Sequence, residues 1–162
     1  MRRALGSLLL TALLAAGAAG CGDTTDTAAD HGSADGTPTS AAPASGPPET
    51  VAVLSQSNAG GRVDTTATVL DGPAAVAAFA DRFRDGPLAG RIKKAVARAD
   101  VPSGRLLVAS VVALGCDAPR TVEVQKGPDG LKLTAQPVRS PRQECFVPVT
   151  TVAVVSVDDS LV

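Results

Sequence analysis

From Gly22 to Thr50 the chain runs for 29 residues without a single Leu, Ile, Val, Phe or Met. Such a stretch has nothing to bury, so it cannot offset the entropy of ordering itself. Whatever folds must be built from the residues that follow, and these are poor in large side chains: the whole chain has no Trp, no Tyr and three Phe. A core made from Val, Leu and Ala has to gain its burial from extended, β-branched strands rather than from aromatic anchors. The same scarcity argues against surfaces that stack sugars or single-stranded nucleic acid, which are made of aromatic faces.

The charges divide at the same boundary. The segment 22–50 carries Asp23, Asp26, Asp30, Asp35 and Glu49 and no Lys or Arg, whereas residues from Val51 onward carry a small excess of bases. The folded part is close to neutral, which implies no nucleic-acid partner. As a coil, 29 residues span about 30 Å root-mean-square. The segment reads as an acidic tether.

What lies before the tether explains its use. Arg2 and Arg3 precede an apolar run from Ala4 to Ala19, too short and too small in side chain to be a comfortable bilayer span. This is the anatomy of a cleavable export signal, and the missing flanking residues of a twin-arginine motif favour the general secretory route. Ala18-Ala19-Gly20 delivers Cys21 at the first mature position. That arrangement resembles the lipobox of bacterial lipoproteins, with Ala18 where the family usually has Leu. The resemblance implies that Cys21 is linked to diacylglycerol, is further acylated, and holds the protein on the extracytoplasmic face of the cell membrane. The expected organisation is a leader over 1–20, a lipidated N-terminus and tether over 21–50, and a folded domain over 51–162. The Ala-, Val-, Gly-, Arg- and Pro-rich composition points to an actinobacterial source.

Of the three cysteines, the remaining two, Cys116 and Cys145, form a pair in a protein bound for an oxidising compartment, so a disulfide is expected. Closing a loop of that length contributes roughly 3 to 4 kcal/mol by chain entropy. Metal ligation by the two thiols is disfavoured, because no second cysteine pair or nearby His accompanies them.

Along the domain, Val51–Leu54, the turn signal Asn58-Ala59-Gly60-Gly61 and Val63–Leu70 read as a hairpin. Asp71-Gly72-Pro73 signals a helix start, with Val76, Phe79, Ala80 and Phe83 at helical spacing. A second helix is expected over 87–99, with Ile92, Ala95, Val96 and Ala99 inward. Leu106–Leu114 is apolar at nearly every position, as in a strand covered on both faces. Val122 and Val124, then Leu131, Leu133 and Ala135, alternate with polar residues around Pro128-Asp129-Gly130, a second hairpin with one wet face. The last strand is expected over 145–157, with a bulge near 148–151 where its apolar parity shifts. The predicted class is α+β: a mostly antiparallel sheet of five or six strands, two helices on one face, one disulfide. This order of elements, with Gly115 after the long apolar strand, resembles the C-terminal domain of PrcB-type protease-complex subunits. The Cys116/Cys145 pair and Phe146-x-Pro148 resemble small actinobacterial lipoproteins of unknown function more closely. The resemblance implies an accessory module with no active-site residues to carry over.

Few residues are candidates for chemistry. His31, the only histidine, falls in the tether, so a Ser-His-Asp triad, a Cys-His pair and a His-containing zinc site have no partner set. Ser103, Ser110, Ser140 and Ser156 have no Ser-x-x-Lys spacing to Lys93, Lys94, Lys126 or Lys132. Gly60-Gly61 lacks the strand-to-helix context of a phosphate loop. Asp158 and Asp159, adjacent at a strand end, point to opposite sides. No cofactor, metal or catalytic residue is assigned. Arg91, Lys94 and Arg98 form a basic stripe along one helix face, suited to anionic lipid head groups or wall polymers, although such stripes are commonly plain solvated surface. The expected function is a non-catalytic, lipid-anchored interaction module that meets a protein or an anionic envelope partner. The alternative is a serine protease inhibitor using 137–145, where prolines and the cysteine stiffen a loop offering Arg139 or Arg142 to an acidic specificity pocket.

Overall fold

The computed structural model describes residues 46–84 and 86–162. The leader, Cys21, His31 and most of the tether therefore lie outside the described residues. The order of elements is β1 (Glu49–Ser57), β2 (Thr68–Val69), α1 (Gly72–Ala80), α2 (Pro87–Arg98), β3 (Arg105–Gly115), β4 (Val122–Gly127), β5 (Gly130–Ala135), β6 (Val149–Asp158) and a closing 3-10 turn, Asp159–Leu161. Folding into strand begins at Glu49, slightly earlier than the change in composition at Val51.

The α+β class holds, with all strand pairs antiparallel. A four-stranded sheet has the order β1-β6-β3-β2, and β4 and β5 form a separate two-stranded sheet. Three layers result. On one face of the large sheet, Phe79, Phe83, Leu88 and Ile92 pack on Leu107, Ala109, Val111, Val152 and Val154. On the other face Leu131 and Leu133 of the hairpin pack on Val108, Val112, Ala153, Val155 and Val157. The apolar run of β3 is thus covered on both sides, as its composition demands. The long strand β6 is fully covered as well: Val152, Ala153, Val154, Val155 and Val157 expose none of their surface.

Three expectations are corrected. The hairpin between Val51–Leu54 and Val63–Leu70 does not form, since β1 pairs with β6 and β2 pairs with β3. Asn58, Gly60 and Gly61 all have positive φ, which turns the chain out of the sheet. Asp64 then supplies the pairing that a strand would have: its backbone N–H donates to Val111 O at 3.0 Å, and its carboxylate accepts Val111 N–H at 2.8 Å. The last strand begins at Val149, leaving Cys145–Pro148 as irregular chain. The expected bulge near 148–151 is absent from β6, whose apolar residues need not alternate because both faces are covered, and the register shifts lie in the partners, between Thr50 and Ala52 of β1 and between Val111 and Ala113 of β3. Finally, α1 ends at Ala80, before Phe83. The next amides turn back three residues, with Phe83 N–H donating to Ala80 O at 3.2 Å, and Arg84 N–H leaves the helix to bond Ala59 O at 2.9 Å. Phe83 is buried all the same, edge-on to Phe79 at 5.7 Å between ring centroids.

In α2 the inward residues include Leu88, which the spacing argument missed, together with Ile92; both are fully buried. Pro87 in the first turn has no N–H to lose there.

Candidate functional site

Cys116 and Cys145 are joined, with Cα atoms 5.3 Å apart. The reason is visible in the register. Gly115 at the end of β3 stands opposite Val149 at the start of β6, so the chain leaving one strand and the chain approaching the other meet at the same end of the sheet. Asp117 adds a second tie: both carboxylate oxygens accept Arg142 N–H at 3.2 Å. Residues 116–121 and 136–148 therefore form a braced pole.

Among the described residues nothing covers this pole. Residues 137–148 are exposed without a break, and among them Phe146 is as accessible as in an isolated peptide, at 107 %. Val138, Val147 and, at the end of β3, Leu114 are exposed at the same end, so four of the six large apolar side chains exposed among the described residues belong to it. An open recess of about 630 Å³ is lined by Cys116, Gln143, Glu144, Cys145 and Phe146. Arg120, Arg139 and Arg142 lie on the same loops and are exposed. The sequence held a signal for this site, since Phe146 and Val147 sit between Cys145 and Pro148 directly after the charged and polar run Arg142-Gln143-Glu144. Reading 145–148 as strand hid it.

The opposite pole receives the chain from the tether. Glu49 pairs with Ser156, and Arg105 with Asp158. Arg105 clasps the incoming segment: Nη2 donates to Pro47 O at 3.0 Å and to Ser156 O at 2.7 Å, while Nε donates to Ser156 Oγ at 2.9 Å. These contacts were not legible before the register was known.

Arg91, Lys94 and Arg98 all lie on the exposed side of α2. Arg91 is partly committed, because its Nη1 donates to Ser55 O on the edge strand β1 at 2.9 Å. Lys93 pairs with Asp81 at 3.4 Å. Arg82 and Arg84, near the stripe in sequence, belong elsewhere: Arg82 pairs with Asp64 and lies 4.9 Å over the Phe79 ring, and Arg84 Nη1 donates to Asn58 Oδ1 at 3.3 Å. The stripe reduces to Lys94 and Arg98 as free cations, with Arg91 tying helix to sheet.

Two of the concave features among the described residues lie away from this pole. A polar groove of about 820 Å³ runs along 61–66, Thr68 and Arg82, and an apolar one of about 510 Å³ lies between α1 and α2 around Leu70, Val76 and Val96. Of the serines considered for catalysis, Ser110 is buried in β3 and Ser156 is engaged by Arg105. Asp158 caps the final turn through Ser160 N–H at 3.0 Å, and Asp159 N–H donates to Gly104 O at 3.0 Å. Among the described residues no group of three His, Cys, Asp or Glu side chains is placed to hold a metal ion. No family model, curated protein or solved structure matches the chain.

Proposed function

We propose that this chain is a lipid-anchored, extracytoplasmic interaction module that works by binding rather than by catalysis. The observation that carries the reading is the Cys116–Cys145 bridge. It consumes two of the three cysteines and is a bond that persists in oxidising compartments. Cys21 is then the one thiol left over, directly behind an apolar leader and at the head of a tether. The braced, uncovered pole and the Arg105 clasp at the other end suit a domain that is held at one side and offers the other.

The anchor is tested by expressing Cys21→Ala in an actinobacterial host and fractionating the cells. The wild-type chain is expected in the membrane fraction, and the variant in the medium or as unprocessed precursor. Normal processing with an unchanged membrane fraction would refute the anchor.

A further inference from the structure

The feature that the anchor reading leaves unexplained is the apolar pole. A soluble domain does not ordinarily leave a Phe fully exposed at the same end of the fold as exposed Val147, Val138 and Leu114 when its whole chain has three Phe. We propose that this pole is a second membrane contact, which dips Phe146 and its apolar neighbours into the interfacial region of an anionic bilayer while Arg120, Arg139 and Arg142 meet the lipid phosphates. The inference deepens the membrane reading above and rests on it for the source of the bilayer.

Three observations favour a bilayer as the occupant. First, the exposed apolar side chains lie on one loop, at Val138, Phe146 and Val147, and at the end of β3, at Leu114. A bilayer takes up projecting side chains without needing a complementary shape, and arginine suits the boundary because its stem is apolar and its head stays with the phosphates. Secondly, the loops are already braced by the disulfide, by the Asp117 carboxylate on the Arg142 amide and by Pro137, Pro141 and Pro148, so little ordering entropy remains to be lost on docking. The pole also carries Asp117 and Glu144. The first is engaged within the loop and the second leaves a net positive charge. Thirdly, the reach is sufficient. The two poles are separated by the length of β6, ten residues, or about 30 Å, whereas the segment from Cys21 to Glu49 has a contour of about 90 Å. An anchored chain can therefore turn its far pole to the bilayer, and a contact too weak to hold alone is strengthened by the high effective concentration that the anchor creates.

The test uses the mature, oxidised chain, residues 21–162, with Cys21→Ser so that no acyl group contributes. The probes are vesicles of phosphatidylglycerol and phosphatidylcholine in equal parts, and of phosphatidylcholine alone, at low ionic strength. Binding is expected to the anionic vesicles and weakly or not at all to the neutral ones. Phe146→Ser is expected to lower partitioning roughly tenfold. Because Phe146 touches no core, the variant folds. Since the chain has no Trp or Tyr, Phe146→Trp gives a clean optical probe: its emission should shift to the blue on anionic vesicles and be quenched by brominated lipid, while Asp129→Trp, in the turn joining β4 to β5, should do neither. Failure of the oxidised chain to bind, binding unchanged by Phe146→Ser, or an equal response at Asp129→Trp would each overturn the proposal. So would stoichiometric inhibition of trypsin abolished by Arg142→Ala or Arg139→Ala, which would assign the loop to a protease. The two readings fail separately: vesicle binding with an unacylated Cys21 in cells removes the anchor and keeps the pole, and an acylated Cys21 without vesicle binding does the reverse.

Discussion

Replacing Cys116 and Cys145 together by alanine, in the mature chain with Cys21→Ser, removes a cross-link between positions 29 apart. The enclosed loop contains the whole β4-β5 hairpin, so the unfolded chain gains the freedom of a closed loop of that size. Chain-entropy arithmetic sets the loss near 3.5 kcal/mol at 25 °C. At about 4 °C per kcal/mol for a domain of this length, the melting temperature should fall by roughly 14 °C. One structural feature reduces this figure. Residues 137–148 are exposed throughout, so the native state also relaxes once the bridge is cut, and we expect a fall of about 10 °C. Calorimetry measures the shift. Urea titration should show a lower midpoint with a steeper slope, because the uncrosslinked unfolded chain exposes more surface. Limited trypsin digestion reports the local effect, as cleavage after Arg139 and Arg142 should accelerate in the variant while the β3-β6 core stays intact. A fall of less than about 3 °C with unchanged cleavage would show that the bridge closes a loop already held by other contacts, and the reasoning would fail.

Perturbations at three further positions test the fold. Gly61 has φ +87°, and a Cβ there would lie 3.2 Å from the buried Phe83 ring, so Gly61→Ala should cost more than about 1 kcal/mol. Gly90, in α2 with open space around it, should give the opposite sign on Gly90→Ala, a gain of about 0.5 to 1 kcal/mol; both are read by urea denaturation. Asp64→Ala leaves the Val111 N–H and the Arg82 guanidinium without their shared acceptor, which should cost about 2 to 3 kcal/mol, and Asp64→Asn should recover part of it.

Much of the fold was legible because it rests on periodicities that the chain carries locally. The alternation of β4 and β5 around Pro128-Asp129-Gly130, the two helix starts at Gly-Pro, and the nearly continuous apolar run of β3 each require nothing beyond their own residues and a core to face. The disulfide was legible from cysteine parity and the expected compartment. The strand order was not, because pairing is a contact between distant segments. Val51–Leu54 and the run after Gly61 are close in sequence and equally β-prone, yet β1 gains more from β6, a strand buried on both faces, than from a partner reached through three positive-φ residues. The candidate site divides in the same way. Cys116 and Cys145 could be paired on paper, and Arg91, Lys94 and Arg98 could be placed on one helix face. Only the register shows that the bridge braces a pole, that Phe146 stands uncovered there, that Arg91 is spent on the edge of β1, and that Arg105 fastens the incoming chain at the other end. Composition and period determine which residues need burial. Which of them the fold leaves exposed is decided by long-range pairing, and in this protein the exposed remainder is where we propose that binding occurs.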